Sequence, residues 1–387
     1  MKGLETAPPH MTKLLLHHES NCKISCQTNG GSHLGARMRP VGIAIVGADA
    51  AGERLAAASS KLVDGYIDSD DRPRLMTIVD QSGANAADLA GRYQFARWRM
   101  HWPIMLEDAE ISVVAISEFD EGRMALCAAQ AGKHVHLEHH PFDSTSDSSL
   151  IKAVKAAGVE VNVSYPHFTS PSIVLFCEMF GTRELGTITQ FRASLTATKN
   201  LSCVQGLSKH STCCERNFRS TFLSVLAIAR KAIGEIKAIS FQTGSDGALG
   251  EVILLRFESG LTGTIEVRDC FLGESPSFQL EAQGTDGAVA FNTYEPGSLQ
   301  FQKRSYGVPI GQPVTIFPSS IHFPSNVHWA FRSPHFTSVE LKAIELATFL
   351  APNRTSNQSF ANLHDARRLQ NLINASLVDK RPHPFGI

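Results

Sequence analysis

The sequence predicts a doubly wound parallel α/β sheet followed by an α+β domain with an open antiparallel sheet, and three observations predict it. The run VGIAIVG (41–47) is apolar throughout and ends in glycine. It leads into the amphipathic stretch AAGERLAAASSKL, as a buried strand feeding a helix does. Strand-like and helix-like segments then alternate to about residue 165, a rhythm that places parallel strands beneath helices on both faces. Beyond residue 186 the apolar spacing changes to every second residue, the period of half-buried antiparallel strands.

After the first strand come RLMTIVD (74–80), ISVVAIS (111–117), KHVHLE (133–138) and VEVNVSY (159–165), with helices near 83–92, 120–131 and 145–157 between them. The second half reads as TITQFRASLTA, IKAISFQTG, EVILLRFESGLTGTIEVRD, SFQLEAQGTDGAVAFN and LQFQKRS, with ESG and GTDG as hairpin turns. A helix over 217–234 interrupts this series, its apolar residues Phe218, Phe222, Val225, Leu226, Ala229 and Ile233 keeping helical spacing. Two more helices, 339–350 and 362–377, close the chain. The expected organisation is an irregular, loosely attached arm over 1–38, a nucleotide-binding domain over 39–165 and an antiparallel-sheet domain over 166–338. C-terminal helices over 339–387 brace both domains.

Composition narrows the partners. With 387 residues, 43% of them hydrophobic, the chain can bury more than one core. Its 36 Lys and Arg nearly balance 37 Asp and Glu, so no excess field draws nucleic acid or an anionic membrane. No apolar run reaches the roughly 18 residues a spanning helix needs, and the first twenty residues lack a secretory pattern, which predicts a cytoplasmic protein. Eight cysteines without a CxxC pair predict reduced thiols rather than a zinc knuckle or a disulfide scaffold.

The turn after the first strand, Gly47-Ala48-Asp49-Ala50-Ala51-Gly52, fits the Rossmann dinucleotide fingerprint at its first and third glycines and departs from it at the second. Asp49 brings a side chain and a negative charge to the place where phosphates lie over a helix N-terminus. Pointing inward it weakens a cofactor or blocks it altogether; pointing outward it costs little. Asp80, directly after the second strand, is placed to accept from an adenosine ribose and to repel a 2′-phosphate. This favours NAD over NADP, although capping of the next helix explains the residue as well.

From residue 41 to about 377 the order of elements resembles the Gfo/Idh/MocA oxidoreductases, named after glucose-fructose oxidoreductase and inositol dehydrogenase. VGIAIVG, DQSGANAADLAGRY, DAEISVVAIS, AAQAGKHVHLE, GTDGAVAF and DARRLQNLINAS carry the resemblance. It implies a Rossmann-like domain and an open sheet that supports homo-oligomers and encloses a nicotinamide and a polyol or sugar. The family's Glu-Lys-Pro is here Glu138-His139-His140-Pro141, so an imidazole stands in place of the lysine. An unperturbed imidazole titrates at about 6.5 and carries no permanent charge. The family's Asp and His on the second-domain helix correspond to Ser220 and Ser224, and neither hydroxyl is an acid or base near neutral pH without a neighbouring base. Ser117 stands in the family's Thr-Pro segment, and His167 takes the place of an arginine after the sixth strand.

Four histidines crowd HVHLEHHPF (134–142). His134 and His136 share a strand face and read as ordinary strand residues rather than metal ligands, so no metal is expected. His139 and His140 lie beyond the strand's carboxyl end, where doubly wound sheets collect ligands, and compete with a plain turn role. Tyr165 and His167 face the same cavity or pack against the second domain. The stretch 309–336, rich in Pro, Phe and His, is a lid or an oligomer contact.

The resulting expectation is an NAD-dependent oxidoreductase acting on a small organic substrate, with specialised metabolism as a setting. His140, His139, Tyr165 and His167 are the candidate catalytic residues. Gly47, Asp49, Gly52, Asp80, Ser117 and Glu138 are the candidate cofactor contacts, and Ser220 and Ser224 line the substrate pocket. A cyclase, isomerase or lyase on the same fold, or a ligand-sensing protein, is the alternative.

Overall fold

The computed structural model describes residues 41–66, 72–118, 121–141, 147–165, 167–197, 213–242, 251–269, 277–324, 327, 336–351 and 362–378. The expected arm over 1–38 lies outside them.

Six parallel strands form the first sheet: β1 (Gly42–Val46), β2 (Arg74–Val79), β3 (Arg97–Arg99), β4 (Val113–Ile116), β5 (His134–Leu137) and β6 (Val161–Val163), in the order β3-β2-β1-β4-β5-β6. The order reverses at β1, and the switch opens a crevice at the carboxyl ends of β1 and β4. Helices α1 (Ala50–Lys61) and α2 (Gly83–Arg92) pack on one face, and α3 (Glu121–Gln130) and α4 (Asp147–Ala157) follow β4 and β5. Successive strand residues point to opposite faces, so Ile43 and Ile45 join Leu55 and Leu89 in one core while Ala44 and Val46 join Ala125 and Ala129 in the other.

Among the elements that escape the sequence reading are β3 and the helix after β6. β3 is a three-residue edge strand, too short to carry a period. Helix α5 (Pro171–Met179) starts at Ser170, whose hydroxyl accepts from Ile173 N–H, with Pro171 in its first turn. Its sequence PSIVLFCEM is too apolar to show an amphipathic stripe.

The second sheet contains β7 (Ile188–Ala197), β8 (Ile236–Gln242), β9 (Glu251–Phe257), β10 (Thr262–Asp269), β11 (Ser277–Gly284), β12 (Gly287–Asn292), β13 (Leu299–Ser305), β14 (Val308–Pro309) and β15 (Val314–Ile316). Its order is β14-β13-β12-β11-β7-β10-β9-β8, with β15 also on β13. The sheet is antiparallel apart from one pair: β7 and β10 run parallel. Helix α6 (Cys213–Ile233) provides the long crossover such a pair requires. The inner sheet face buries Phe191, Phe257, Phe278 and Phe291 in the same core as Phe222 and Leu226 of α6. The first part of the expected lid forms β15 and the turns around it, at the sheet's outer edge; residues 325, 326 and 328–335 lie outside the described residues.

Helix α7 (Ser338–Leu350) lies along α1, its Ala343, Leu346 and Phe349 entering the core behind β1 and β4. Thr337 and Glu340 cap it reciprocally. Helix α8 (Leu363–Val378) packs on β8, α6 and β6. Among the described residues no helix is long and apolar enough to cross a membrane.

Candidate active site

The glycine turn is built by β1 running into α1. Gly47 has φ +106°, and a Cβ there would lie 2.3 Å from Ser117 Oγ. At Gly52 a Cβ would lie 2.1 Å from the carbonyl oxygen of Gly47. Both glycines are therefore required by close backbone approach. Gly47→Ala is expected to cost at least about 1–3 kcal/mol from backbone strain, read as a lower melting temperature; an unchanged melting temperature counts against the turn as described.

Asp49 neither blocks the cleft with an unpaired charge nor points away from the turn. It is the N-cap of α1, its Oδ1 accepting from Ala51 N–H at 3.1 Å and Gly52 N–H at 2.9 Å, and from Ser117 Oγ at 3.2 Å. Asp80 Oδ2 accepts from Ala48 N–H at 2.8 Å while Oδ1 accepts from Ser82 N–H at 2.7 Å. The α2 cap is Ser82, not Asp80. Burial, and then the charges of Asp80 and Asp49, push the carboxyl of Glu118 above its ordinary value.

At the end of β5, side chains alternate between the two faces. His136 turns towards α7, Nδ1 2.9 Å from Asn162 Nδ2 and its ring beside Phe349, in the fully buried position of a core histidine. Glu138 faces the same way. Its Oε1 receives Arg54 at 3.0 Å and its Oε2 receives Lys342 Nζ at 2.8 Å. Lys342, from α7, also donates to Ser164 Oγ at 2.6 Å and Glu345 Oε2 at 2.5 Å. Although burial opposes it, the Lys342 ammonium, with His136 and Arg54, holds the Glu138 carboxyl well below the ordinary carboxylate range. Lys342 is raised: burial opposes this, and Glu138 and Glu345 outweigh it.

His139 points to the opposite face. Its Nδ1 lies 2.6 Å from Glu121 Oε1, and its backbone N–H donates to Glu121 Oε2 at 3.1 Å. Burial pushes the Glu121 carboxyl up to about 7, against the hydrogen bond from His139. His140 is separated from this pair. Its Nε2 meets the Ala366 carbonyl of α8 at 2.9 Å, and burial, with Arg219 next, lowers the ring to about 3, so it is neutral at pH 7.

Tyr165 is 2% exposed, edge-on to Phe168, and burial raises its phenol. Its hydroxyl has no hydrogen-bond partner among the described residues. His167 adopts φ +66° and stacks edge-on against Phe278 and Phe291 of the second sheet; burial, and then Lys342, lowers it to about 4. Ser220 and Ser224 are buried on α6, and the Ser224 hydroxyl donates to the Ser220 carbonyl at 2.8 Å. Thus Gly47, Asp49, Gly52, Asp80 and Ser117 converge on one turn. Glu138 and His139 diverge to opposite faces beside it, and His140 anchors to α8. Arg54, Glu121 and Lys342 complete the site without having been singled out in the sequence. Among the described residues no group of three or more His, Cys, Asp or Glu is arranged to hold a metal ion.

Residues 41–165 match the Gfo/Idh/MocA family, described as an oxidoreductase family with an NAD-binding Rossmann fold. No curated protein sequence matches the chain. Solved structures extend the likeness over both sheets. A levoglucosan dehydrogenase in complex with NADH and levoglucosan has a TM-score of 0.71 at 19% identity, covering 88% of this chain and 96% of that one. An NAD-binding oxidoreductase from Klebsiella pneumoniae gives 0.71 at 20% identity, covering 88% and 98%. GenD2 from gentamicin A biosynthesis, in complex with NAD, gives 0.63 at 17% identity, covering 92% and 98%. At these identities the likeness is one of fold. Within the matched residues, Gly47 and Gly52 form the close-packed turn after β1, and Asp80 follows β2 with its carboxylate bonded to Ala48 N–H of that turn.

Proposed function

We propose that this protein is a Gfo/Idh/MocA-type NAD-dependent oxidoreductase of a small organic alcohol or its carbonyl counterpart, with His139 as the proton-transfer residue. The observation that carries this reading is the 2.6 Å contact between His139 Nδ1 and Glu121 at the carboxyl ends of the adjacent strands β4 and β5. A carboxylate facing Nδ1 fixes the imidazole's tautomer and leaves Nε2 to accept a hydroxyl proton. The His139 side chain keeps 11% of its surface exposed, in keeping with that role. His140 is a poorer candidate, because its Nε2–H is spent on the Ala366 carbonyl and burial keeps the ring neutral.

Gly47 and Gly52 would admit the diphosphate of NAD, Asp80 would accept from its ribose, and Ser117 and Glu138 would border the nicotinamide half. The bound nicotinamide supplies the hydride acceptor or donor. Lys342 and Arg54 keep Glu138 ionised beneath that half of the crevice, and the aromatic face of Phe278 and Phe291 with His167 supports an apolar pocket wall. We read the open face of the second sheet, where Val252 and Leu254 are exposed, as a contact between copies of the chain.

A fluorescence titration with NADH, followed by NAD+ reduction with a panel of polyols and cyclic alcohols, tests the reading. Saturable binding below about 1 mM is expected, within the ordinary range for enzyme ligands. Absence of binding by both NADH and NADPH in that range rejects it.

A further inference from the structure

We infer that Asp49 occupies the phosphate cradle with the protein's own carboxylate and so sets the affinity for the dinucleotide. This rests on the reading of the glycine turn as an NAD site, and it concerns a residue that the fingerprint replaces by glycine.

The argument follows the turn's backbone donors. A helix N-terminus binds phosphate because its first N–H groups have no partner within the helix. Here Ala51 N–H and Gly52 N–H both donate to Asp49 Oδ1. Ser117 Oγ, from the facing strand end, lies 3.2 Å from the same oxygen and 3.2 Å from the Val46 carbonyl, so its single proton is shared between the two acceptors. Ala48 N–H is taken by Asp80 Oδ2, Gly47 N–H by the Val79 carbonyl and Glu53 N–H by the Asp49 carbonyl. Two carboxylates thus take the N–H groups of Ala48, Ala51 and Gly52, and Glu118, half-buried beside them, adds a third acidic group. To reach Ala51 N–H and Gly52 N–H, a diphosphate entering this cleft must displace the Asp49 carboxylate and approach its charge. A glycine at the same position would leave Ala51 N–H and Gly52 N–H available and allow the backbone to come close.

The proposal makes affinity a property of one side chain. In Asp49→Gly the N–H groups are freed and the charge is lost. In Asp49→Asn the cap is retained and only the charge is lost. Glycine and asparagine are both good N-cap residues, so both variants should keep α1 folded. NADH titration by fluorescence and by calorimetry on the full-length protein reads the effect directly, without turnover. Asp49→Gly is expected to lower the Kd at least tenfold, with Asp49→Asn between it and the wild type. Equal or weaker binding by both variants, with the wild type still binding NADH, overturns the role of Asp49 and leaves the cofactor reading intact. If the wild type and both variants all fail to bind, the cofactor reading and the role of Asp49 fall together.

Discussion

Lys342→Met is expected to destabilise the protein by about 3–5 kcal/mol, the loss that follows when one partner of a buried ion pair is removed. The ammonium is 7% exposed and holds two buried carboxylates, Glu138 at 2.8 Å and Glu345 at 2.5 Å, together with Ser164. Methionine fills a similar volume, so most of the loss arises from the charges left behind. Arg54 still neutralises Glu138 in part, whereas Glu345 keeps, among the described residues, only the Ser164 hydroxyl. Adding Glu345→Gln to Lys342→Met should therefore recover a substantial share of the lost stability. Urea unfolding at pH 7 measures all three proteins. A midpoint for Lys342→Met close to that of the wild type, or no recovery in the double variant, contradicts this account of the network.

The pH dependence of the same network has a definite sign. The folded Glu138 carboxyl is held below the unfolded value of about 4.3. Its stabilising contribution is therefore complete above that value and is lost as pH falls through the folded one. The wild type should lose more stability on acidification below about pH 4.3 than a Glu138→Gln variant does.

The alternation of buried strands and helices was legible because β1 and β4 are continuous apolar runs, and Gly47 and, in the second sheet, GTDG mark turns by chemistry alone. Helix α5 was not legible, since PSIVLFCEM is buried among α6 and β12 and presents no polar face to reveal its period. The parallel pairing of β7 with β10 depends on where a crossover lands, which strand periodicity does not encode. The site shows the same division. Gly47, Gly52 and Asp80 are local signals within one strand–turn–helix unit. Glu121 and His139 are 18 residues apart, and Lys342 reaches Glu138 across 204 residues. Such pairs form only when separate elements pack. Glu121 alone reads as an acidic residue in the first turn of a helix, and Lys342 as a solvated lysine.

His139→Ala is expected to lower kcat by about 10²–10⁴, the usual contribution of a positioned acid or base, while leaving the Kd for NADH near its wild-type value. Glu121→Gln should retain the shape of the pair while removing the charge that orients the ring, and its rate should fall between the two. The pH profile separates this role from a merely structural one. With the carboxyl of Glu121 pushed up to about 7, alcohol oxidation by the wild type should decline as pH falls through that value, because the carboxylate facing Nδ1 takes up a proton. The variant should lack that acidic limb. Stability moves in the opposite direction. A carboxyl whose folded value lies above its unfolded value of about 4.3 favours the folded state least at high pH, so Glu121→Gln should be slower than the wild type yet at least as stable at pH 8. Wild-type kcat in His139→Ala would remove the imidazole from the chemistry. An acidic limb unchanged in Glu121→Gln would assign that ionisation to another group.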